Sequence, residues 1–71
     1  MRVKLHTISD VKNFVATASN CAGPITIVQD RYVINAKSIL GIMSLDLTNV
    51  LNVVIDNEND IPQFKQFEIK D

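Results

Sequence analysis

The chain has 71 residues, of which 46% are hydrophobic and 21% charged, and its formal net charge at pH 7 is -1. This balance indicates one small folded domain over residues 1–71 and excludes intrinsic disorder. It also lacks the positive charge that binding to nucleic acid or to an anionic membrane requires. The single cysteine excludes an internal disulfide, and no stretch has the length and hydropathy of a membrane span or of a signal peptide. We therefore expect a cytoplasmic protein.

The N-terminal part of the sequence predicts a strand and then a helix. Polar and apolar residues alternate over Arg2–Ile8, which is the period of a half-buried strand. Ser9 and Asp10 then offer capping oxygens for a helix, whose apolar positions recur at helical spacing: Val11, Phe14, Val15 and Ala18. Asn20 is predicted to end this helix in a left-handed conformation, and Gly23-Pro24 marks the break after it.

The middle of the sequence predicts a hairpin. One β-branched run contains Ile25 and Ile27, the next is Tyr32–Ile34, and they are joined around Gln29-Asp30-Arg31. Arginine in a left-handed turn position costs about 1 kcal/mol, so we expect a type I turn or a longer one here.

The remaining elements are a short helix, a strand and a last helix. Ser38 begins a helix that ends near Leu45, and Val50–Ile55 is a fourth strand. Asn57–Asp60 is predicted to be an acidic turn, before a helix of about two turns at Ile61–Phe67 that tolerates Pro62 in its first turn. The element order is therefore β-α-β-β-α-β-α. It predicts an α+β two-layer sandwich with a four-stranded antiparallel sheet and helices on one face.

The helix that starts at Ser38 carries more apolar residues than one buried side accommodates. Ile39, Ile42 and Leu45 lie along one side, while Leu40 and Met43 lie about 100° around the helix. We expect some of Ile39, Leu40 and Met43 to be exposed. Exposed apolar clusters, particularly those with a methionine, are typical of partner-binding surfaces.

The segment ITIVQDRYVINAKSILGIMSLDL, and above all Lys37-Ser38-Ile39-Leu40-Gly41-Ile42-Met43-Ser44-Leu45, resembles the central part of HPr. HPr is the phosphocarrier of the bacterial sugar phosphotransferase system, and the resemblance is strongest to Gram-positive members. It extends without a gap from Phe14 to about Ile55 and implies the same fold.

The resemblance implies a histidine, followed by Arg-Pro directly before the first helix, that enzyme I phosphorylates at the expense of phosphoenolpyruvate. Such a site uses helix N–H groups and the neighbouring arginine to stabilise the phosphoryl group. Here His6 is the only histidine, and Ile8-Ser9-Asp10 replaces Arg-Pro. We interpret His6 as an exposed histidine of the first strand in a variant without the catalytic loop. A phosphocarrier that uses His6 is the alternative.

The resemblance also implies that a dedicated HPr kinase phosphorylates Ser38. It further implies that the neighbouring residues dock on enzyme I, the kinase or a transcriptional regulator. The predicted partner-binding residues are Lys37, Ile39, Leu40 and Met43, and one branch of the family keeps the serine without the histidine. The alternative interpretation is that Ser38 only caps the helix and is not a regulatory phosphorylation site.

Other chemistry has little support in the sequence. One histidine and one cysteine do not supply a metal site of the usual ligand count, and the two isolated glycines form no phosphate-binding loop. Cys21 is expected to be a small buried hydrophobic residue. We therefore predict a protein-binding regulatory module that is not an enzyme and has no cofactor or metal.

Overall fold

Four antiparallel strands form a sheet in the computed structural model, which describes residues 1–69. In chain order, the elements are β1 (Arg2–Val3), α1 (Ile8–Ser19), β2 (Ile25–Gln29), β3 (Tyr32–Asn35), α2 (Ile39–Met43), β4 (Leu51–Ile55) and a 3₁₀ helix (Glu58–Phe67). The strand order across the sheet is β1-β4-β2-β3. The predicted α+β fold with a four-stranded antiparallel sheet and helices on one face is confirmed.

The alternation of side chains along the strands separates a buried face from an open one. In β2 and β4 the inward positions are Ile25, Ile27, Leu51 and Val53, which are all buried. Their neighbours Thr26, Val28, Asn52 and Val54 lie on the other face, because successive side chains of a strand point to opposite sides. The helices therefore cover one face of the sheet only.

Three phenylalanine rings connect α1 to the 3₁₀ helix. The Phe14 ring centroid lies 5.2 Å from those of Phe64 and Phe67, in tilted and edge-to-face arrangements that aromatic pairs favour. Phe14 and Phe64 are completely buried. This cluster is the centre of the core between the helices.

A buried carboxylate ties the start of the 3₁₀ helix to the turn after α1. Asp60 is 3% exposed and accepts hydrogen bonds from the backbone N–H groups of Ala22, at 3.2 Å, and Gly23, at 3.0 Å. The Gln63 side-chain amide donates a further bond at 3.3 Å. Burial of Asp60 is therefore compensated by hydrogen bonds.

The first predicted strand is wrong in its length. β1 ends at Val3, and residues 4–7 connect it to α1 without pairing in the sheet. The alternation nevertheless continues to Leu5, which is 2% exposed, because an extended connection can alternate between core and solvent without a partner strand.

The predicted ends of α1 are also corrected. The N-cap is Thr7 rather than Ser9 or Asp10, and Asp10 instead completes a capping box with it. At the other end, Asn20 has a φ of -91° and is therefore not left-handed.

Two further predictions fail in detail. The β2–β3 hairpin closes through a two-residue turn and not through the predicted type I or longer turn. Asp30 has a φ of 53° in this turn, because aspartate tolerates the left-handed region, and Arg31 does not adopt it. The last helix is a 3₁₀ helix that begins at Glu58, so 58–60 is helical rather than a turn. Asn57 caps it by accepting the Asn59 N–H at 3.0 Å.

No helix within residues 1–69 has the length and hydropathy needed to cross a membrane.

Candidate functional site

Ser38 is exposed and lies directly before α2. Ser38 is the N-cap, has an extended backbone, and accepts the Gly41 N–H at 3.1 Å. Its own N–H donates to the Asn35 carbonyl at 2.9 Å, and its carbonyl accepts the Ile42 N–H at 3.0 Å. The prediction that Ser38 caps this helix is confirmed.

The charges around Ser38 suit a negatively charged modification. The first turn of α2 has no acidic residue. Lys37 directly precedes Ser38 and is exposed, with its backbone N–H donated to the Asn35 side-chain oxygen at 2.9 Å. A negative group near this helix start would meet backbone N–H groups and a lysine, with no carboxylate in the first turn to repel it.

The apolar residues of α2 divide between core and solvent. Ile42 is completely buried and Leu45 is 8% exposed, whereas Leu40 is 82%, Met43 45% and Ile39 39% exposed. The predicted exposure of Ile39, Leu40 and Met43 is confirmed. We refer to these three side chains as the α2 surface.

Gly41 lets α2 approach β3 closely. A Cβ atom at Gly41 would lie 2.7 Å from Cγ2 of Ile34 and 3.0 Å from Oγ of Ser38. A separation of 2.7 Å between carbon atoms is far inside van der Waals contact. The glycine therefore fixes both the height of α2 above the sheet and the space around the Ser38 hydroxyl.

His6 lies at the start of the other helix and not in a strand. The interpretation of His6 as a residue of the first strand is wrong, because β1 ends at Val3 and the His6 N–H donates to Oδ2 of Asp10 at 2.9 Å. The side chain is exposed directly before Thr7, the N-cap of α1.

The Asp10 carboxylate accepts the backbone N–H groups of the two residues directly before α1. In addition to the His6 N–H, its Oδ2 accepts the Thr7 N–H at 3.3 Å, and the Asp10 N–H donates to Oγ1 of Thr7 at 3.0 Å. This arrangement was not predicted from the sequence, although the Thr7-x-x-Asp10 spacing follows the capping-box pattern. A carboxylate thus already lies where the helix N-terminus would attract a second anion.

Two open grooves flank His6. The first, of about 420 Å³, is largely apolar and includes Leu5, Ile8, Val11 and Leu47 in its lining. The second, of about 530 Å³, lies between α1 and the C-terminal segment and is lined in part by Asp10, Gln66 and Glu68. The α2 surface contributes to neither groove. The structure therefore does not bring the predicted Ser38 and His6 residues together in one pocket.

Cys21 and the acidic residues form no reactive or metal site in the described part of the chain. Burial raises the pKa of the Cys21 thiol, and the neighbouring Asp60 carboxylate raises it further. The thiol donates to the Thr17 carbonyl at 3.2 Å. Cys21 is buried as predicted. Among residues 1–69, no group of three His, Cys, Asp or Glu residues is arranged to hold a metal ion.

The structure is a small α+β domain in which Ser38 and His6 are exposed, each directly before or at the N-cap of a helix. The family model described as "PTS HPr component phosphorylation site" matches residues 8–61. Because this match covers more than half of the chain, the protein belongs to the HPr family, a phosphocarrier family of the phosphotransferase system. The matched segment includes Ser38 and α2 but begins after His6. No curated protein and no solved structure matches the chain significantly.

Proposed function

We propose that this protein is a regulatory member of the HPr family that acts through Ser38 and the α2 surface and does not carry a phosphoryl group on His6. In this proposal, a protein kinase of the HPr kinase type phosphorylates Ser38 in the cytoplasm. The modified helix start then selects among protein partners of the phosphotransferase system or a transcriptional regulator.

The contrast between the two helix starts supports this proposal more than any other observation. At α1, the Asp10 carboxylate accepts the His6 and Thr7 N–H groups, so a phosphoryl group on His6 would be placed beside a negative charge. At α2, the first turn has no acidic residue and Lys37 adds a positive charge. The chain therefore favours added negative charge at Ser38 and disfavours it near His6.

The α2 surface supports a role in binding. Leu40 and Met43 expose apolar side chains within two turns of Ser38, and Lys37 adds a cation on the same segment. A phosphoserine carries a charge of about -1.5 to -2 at pH 7. A partner that covers the neighbouring apolar surface must then also desolvate this charge, which costs free energy. Phosphorylation therefore changes the set of partners that bind.

The second candidate function is a phosphocarrier that uses His6. Its support is the exposed position of His6 directly before the N-cap of α1, together with the apolar groove that contains Ile8, which is 61% exposed. The absence of an arginine from Ile8-Ser9-Asp10 removes the cation that would assist the phosphoryl group.

One labelling experiment with two arms tests the two candidates. The protein is incubated with enzyme I and labelled phosphoenolpyruvate, and separately with HPr kinase and labelled ATP. We expect acid-stable label at Ser38 in the second arm and no acid-labile label in the first, where an ordinary HPr is fully labelled. Ser38→Ala and His6→Ala are the matched controls, since both residues are exposed. Stoichiometric label that His6→Ala removes would overturn the proposal in favour of the carrier.

A further inference from the structure

The two edges of the sheet differ in whether the chain covers them. Beyond β1, the C-terminal segment adds backbone hydrogen bonds: the Lys4 N–H donates to the Phe67 carbonyl at 3.3 Å, and the Ile69 N–H donates to the Arg2 carbonyl at 2.9 Å. β3 forms the opposite edge, and no other described strand pairs with its outer side. Within residues 1–69, β3 is therefore the open edge of the sheet.

The register of the hairpin identifies the backbone groups at this open edge. The Ala36 N–H donates to the Ile25 carbonyl at 3.0 Å, and Ile34 and Tyr32 are paired with Ile27 and Gln29. Hydrogen-bonded pairs alternate along an antiparallel ladder, so the backbone N–H and C=O of Val33 point away from β2. They have no partner among the described residues.

β3 is short, with four residues, but it lacks the other usual features that prevent an edge from pairing with another chain. Tyr32–Asn35 contains no lysine, proline or bulge, and Val33 is 69% and Tyr32 56% exposed. The net charge of -1 gives little repulsion between two copies.

We infer that β3 pairs antiparallel with β3 of a second copy of this chain, around a two-fold axis at Val33, and extends the sheet to eight strands. A two-fold axis normal to the sheet places each residue opposite one that points to the same face. Around Val33, this register sets Val33 opposite its own copy, Tyr32 opposite Ile34 and Arg31 opposite Asn35.

Charge and apolar contacts select this register over its neighbours. A shift of one residue in the axis toward Ile34 sets Arg31 opposite Lys37, and a shift toward Tyr32 sets Arg31 opposite Val33. Pairing at Val33 places no like charges opposite each other and brings the end with Asp30 beside the end with Lys37. It also joins Val33 and Val28, which are cross-strand neighbours, into one row of four valines on the open face.

The size of the contact predicts a weak dimer. Four residues per edge bury less than the roughly 1,200 Å² of a stable interface. Association should therefore be reversible and depend on concentration. It uses neither the Ser38 hydroxyl nor the α2 surface, so its test is independent of the proposed function.

Sedimentation of the whole protein from about 10 µM to about 1 mM tests the inference, since weak contacts have dissociation constants in this range. We expect the wild-type mass to rise toward that of a dimer. Val33→Lys should remain a monomer, because two lysines would face each other across the axis. Val54→Lys is the matched control: Val54 is 49% exposed on the same face, but β4 is paired on both sides. This control should dimerise like the wild type.

A cross-linking pair of variants provides a second readout. Oxidised Val33→Cys should form a covalent dimer, because Cα atoms about 5.5 Å apart across the axis suit a disulfide, whereas Val54→Cys should not. A wild type that is monomeric at about 1 mM, or dimers that persist in Val33→Lys, would overturn the inference. Equal loss of dimer in Val33→Lys and Val54→Lys would also overturn it, since that result indicates stacking of the open faces instead of pairing of the edges.

Discussion

Single residues determine how each helix start treats negative charge. Thr7 and Ser38 each cap a helix with a neutral hydroxyl, but at α1 the charged Asp10 carboxylate also accepts the Thr7 N–H. An added phosphate meets repulsion in the first case and extends the existing capping role in the second.

Gly41→Ala should destabilise the protein, although alanine is the better helix former by about 1 kcal/mol. The added Cβ would lie 2.7 Å from Cγ2 of Ile34, so α2 or the strand must move. Overpacking of this kind typically costs about 1–3 kcal/mol, which urea denaturation measures directly.

The matched controls for Gly41→Ala separate the clash from helix propensity. Leu40→Ala in the same turn should be nearly neutral because Leu40 is 82% exposed. In a double-mutant cycle, Ile34→Ala should cost less in the Gly41→Ala background than in the wild type, since it removes the clashing methyl group. A Gly41→Ala protein as stable as the wild type would show that the helix adjusts freely.

Cys21 should react slowly with iodoacetamide and should weaken the fold at high pH. Burial and Asp60 raise the pKa of its thiol, so little thiolate forms near neutral pH in the folded state. A group with a raised pKa contributes stability that is complete below the ordinary thiol pKa of about 8.5 and is lost as pH rises through the folded-state pKa.

Mass spectrometry of the alkylated protein at pH 8, with and without urea, measures the protection of Cys21. We expect alkylation to be rapid only in the unfolded protein. Thermal melts on either side of the thiol pKa should show a stability loss at high pH that Cys21→Ala removes. Equal alkylation rates in the folded and unfolded protein would contradict the burial of this thiol.

At the scale of elements, the sequence predicted which segments are strands and helices better than it predicted their ends. Strand alternation at β2 and β4 and helical spacing in α1 follow from burial on one side, which a single sequence records directly. The length of β1 did not follow, because alternation reports burial and not the presence of a pairing strand. The alternation continued to the buried Leu5, beyond the last paired residue Val3.

The candidate site was predictable to the same degree. The spacing within α2 predicted both the N-cap at Ser38 and the exposed residues, because both depend on local sequence. The relation between His6 and Asp10 was not found, since the choice of Ser9 or Asp10 as the cap placed the helix start too late. The closeness of Gly41 to Ile34 is a contact between elements, which spacing along one helix does not contain.

Leu40→Asp combined with Met43→Lys should abolish partner binding without unfolding the domain. Both side chains are exposed on α2, so the change replaces apolar surface with charge and leaves the core intact. Circular dichroism and thermal melts check the fold, and binding to HPr kinase is measured by calorimetry. Ser38→Asp should likewise leave the melting temperature nearly unchanged while altering binding.

The buried side of α2 supplies the matched control for the double substitution. Ile42 lies between Leu40 and Met43 in the sequence but is completely buried. Ile42→Ala should therefore lower the free energy of unfolding by about 2–5 kcal/mol. If the double substitution destabilises the protein as much as Ile42→Ala, the α2 surface is part of the core. Unchanged binding in a folded double variant would instead remove the proposed role of this surface.

At the scale of the whole molecule, the small size of the chain makes a few contacts decisive. A domain of 71 residues buries a modest fraction of its surface, and the free energy of unfolding of such domains is only several kcal/mol. The helices cover one face of the sheet, so the core depends on the phenylalanine cluster and on the layer between the helices and the sheet. The Asp60 hydrogen bonds and the segment beside β1 then connect the C-terminal part to the rest.

Phe64→Ala should therefore abolish cooperative folding at 37 °C. Phe64 is completely buried, and its ring centroid lies 5.2 Å from that of Phe14 and 6.4 Å from that of Phe67. Truncation of a buried phenylalanine costs about 3–5 kcal/mol, which is comparable to the total stability of a small domain. Thermal denaturation followed by circular dichroism should show a broad transition or none.

Phe64→Leu keeps much of the buried volume and should retain a cooperative transition at a lower temperature, while the exposed Gln66→Ala should melt like the wild type. A cooperative transition of Phe64→Ala near the wild-type temperature would mean that the 3₁₀ helix contributes little to the core and that α1 packs on the sheet without it.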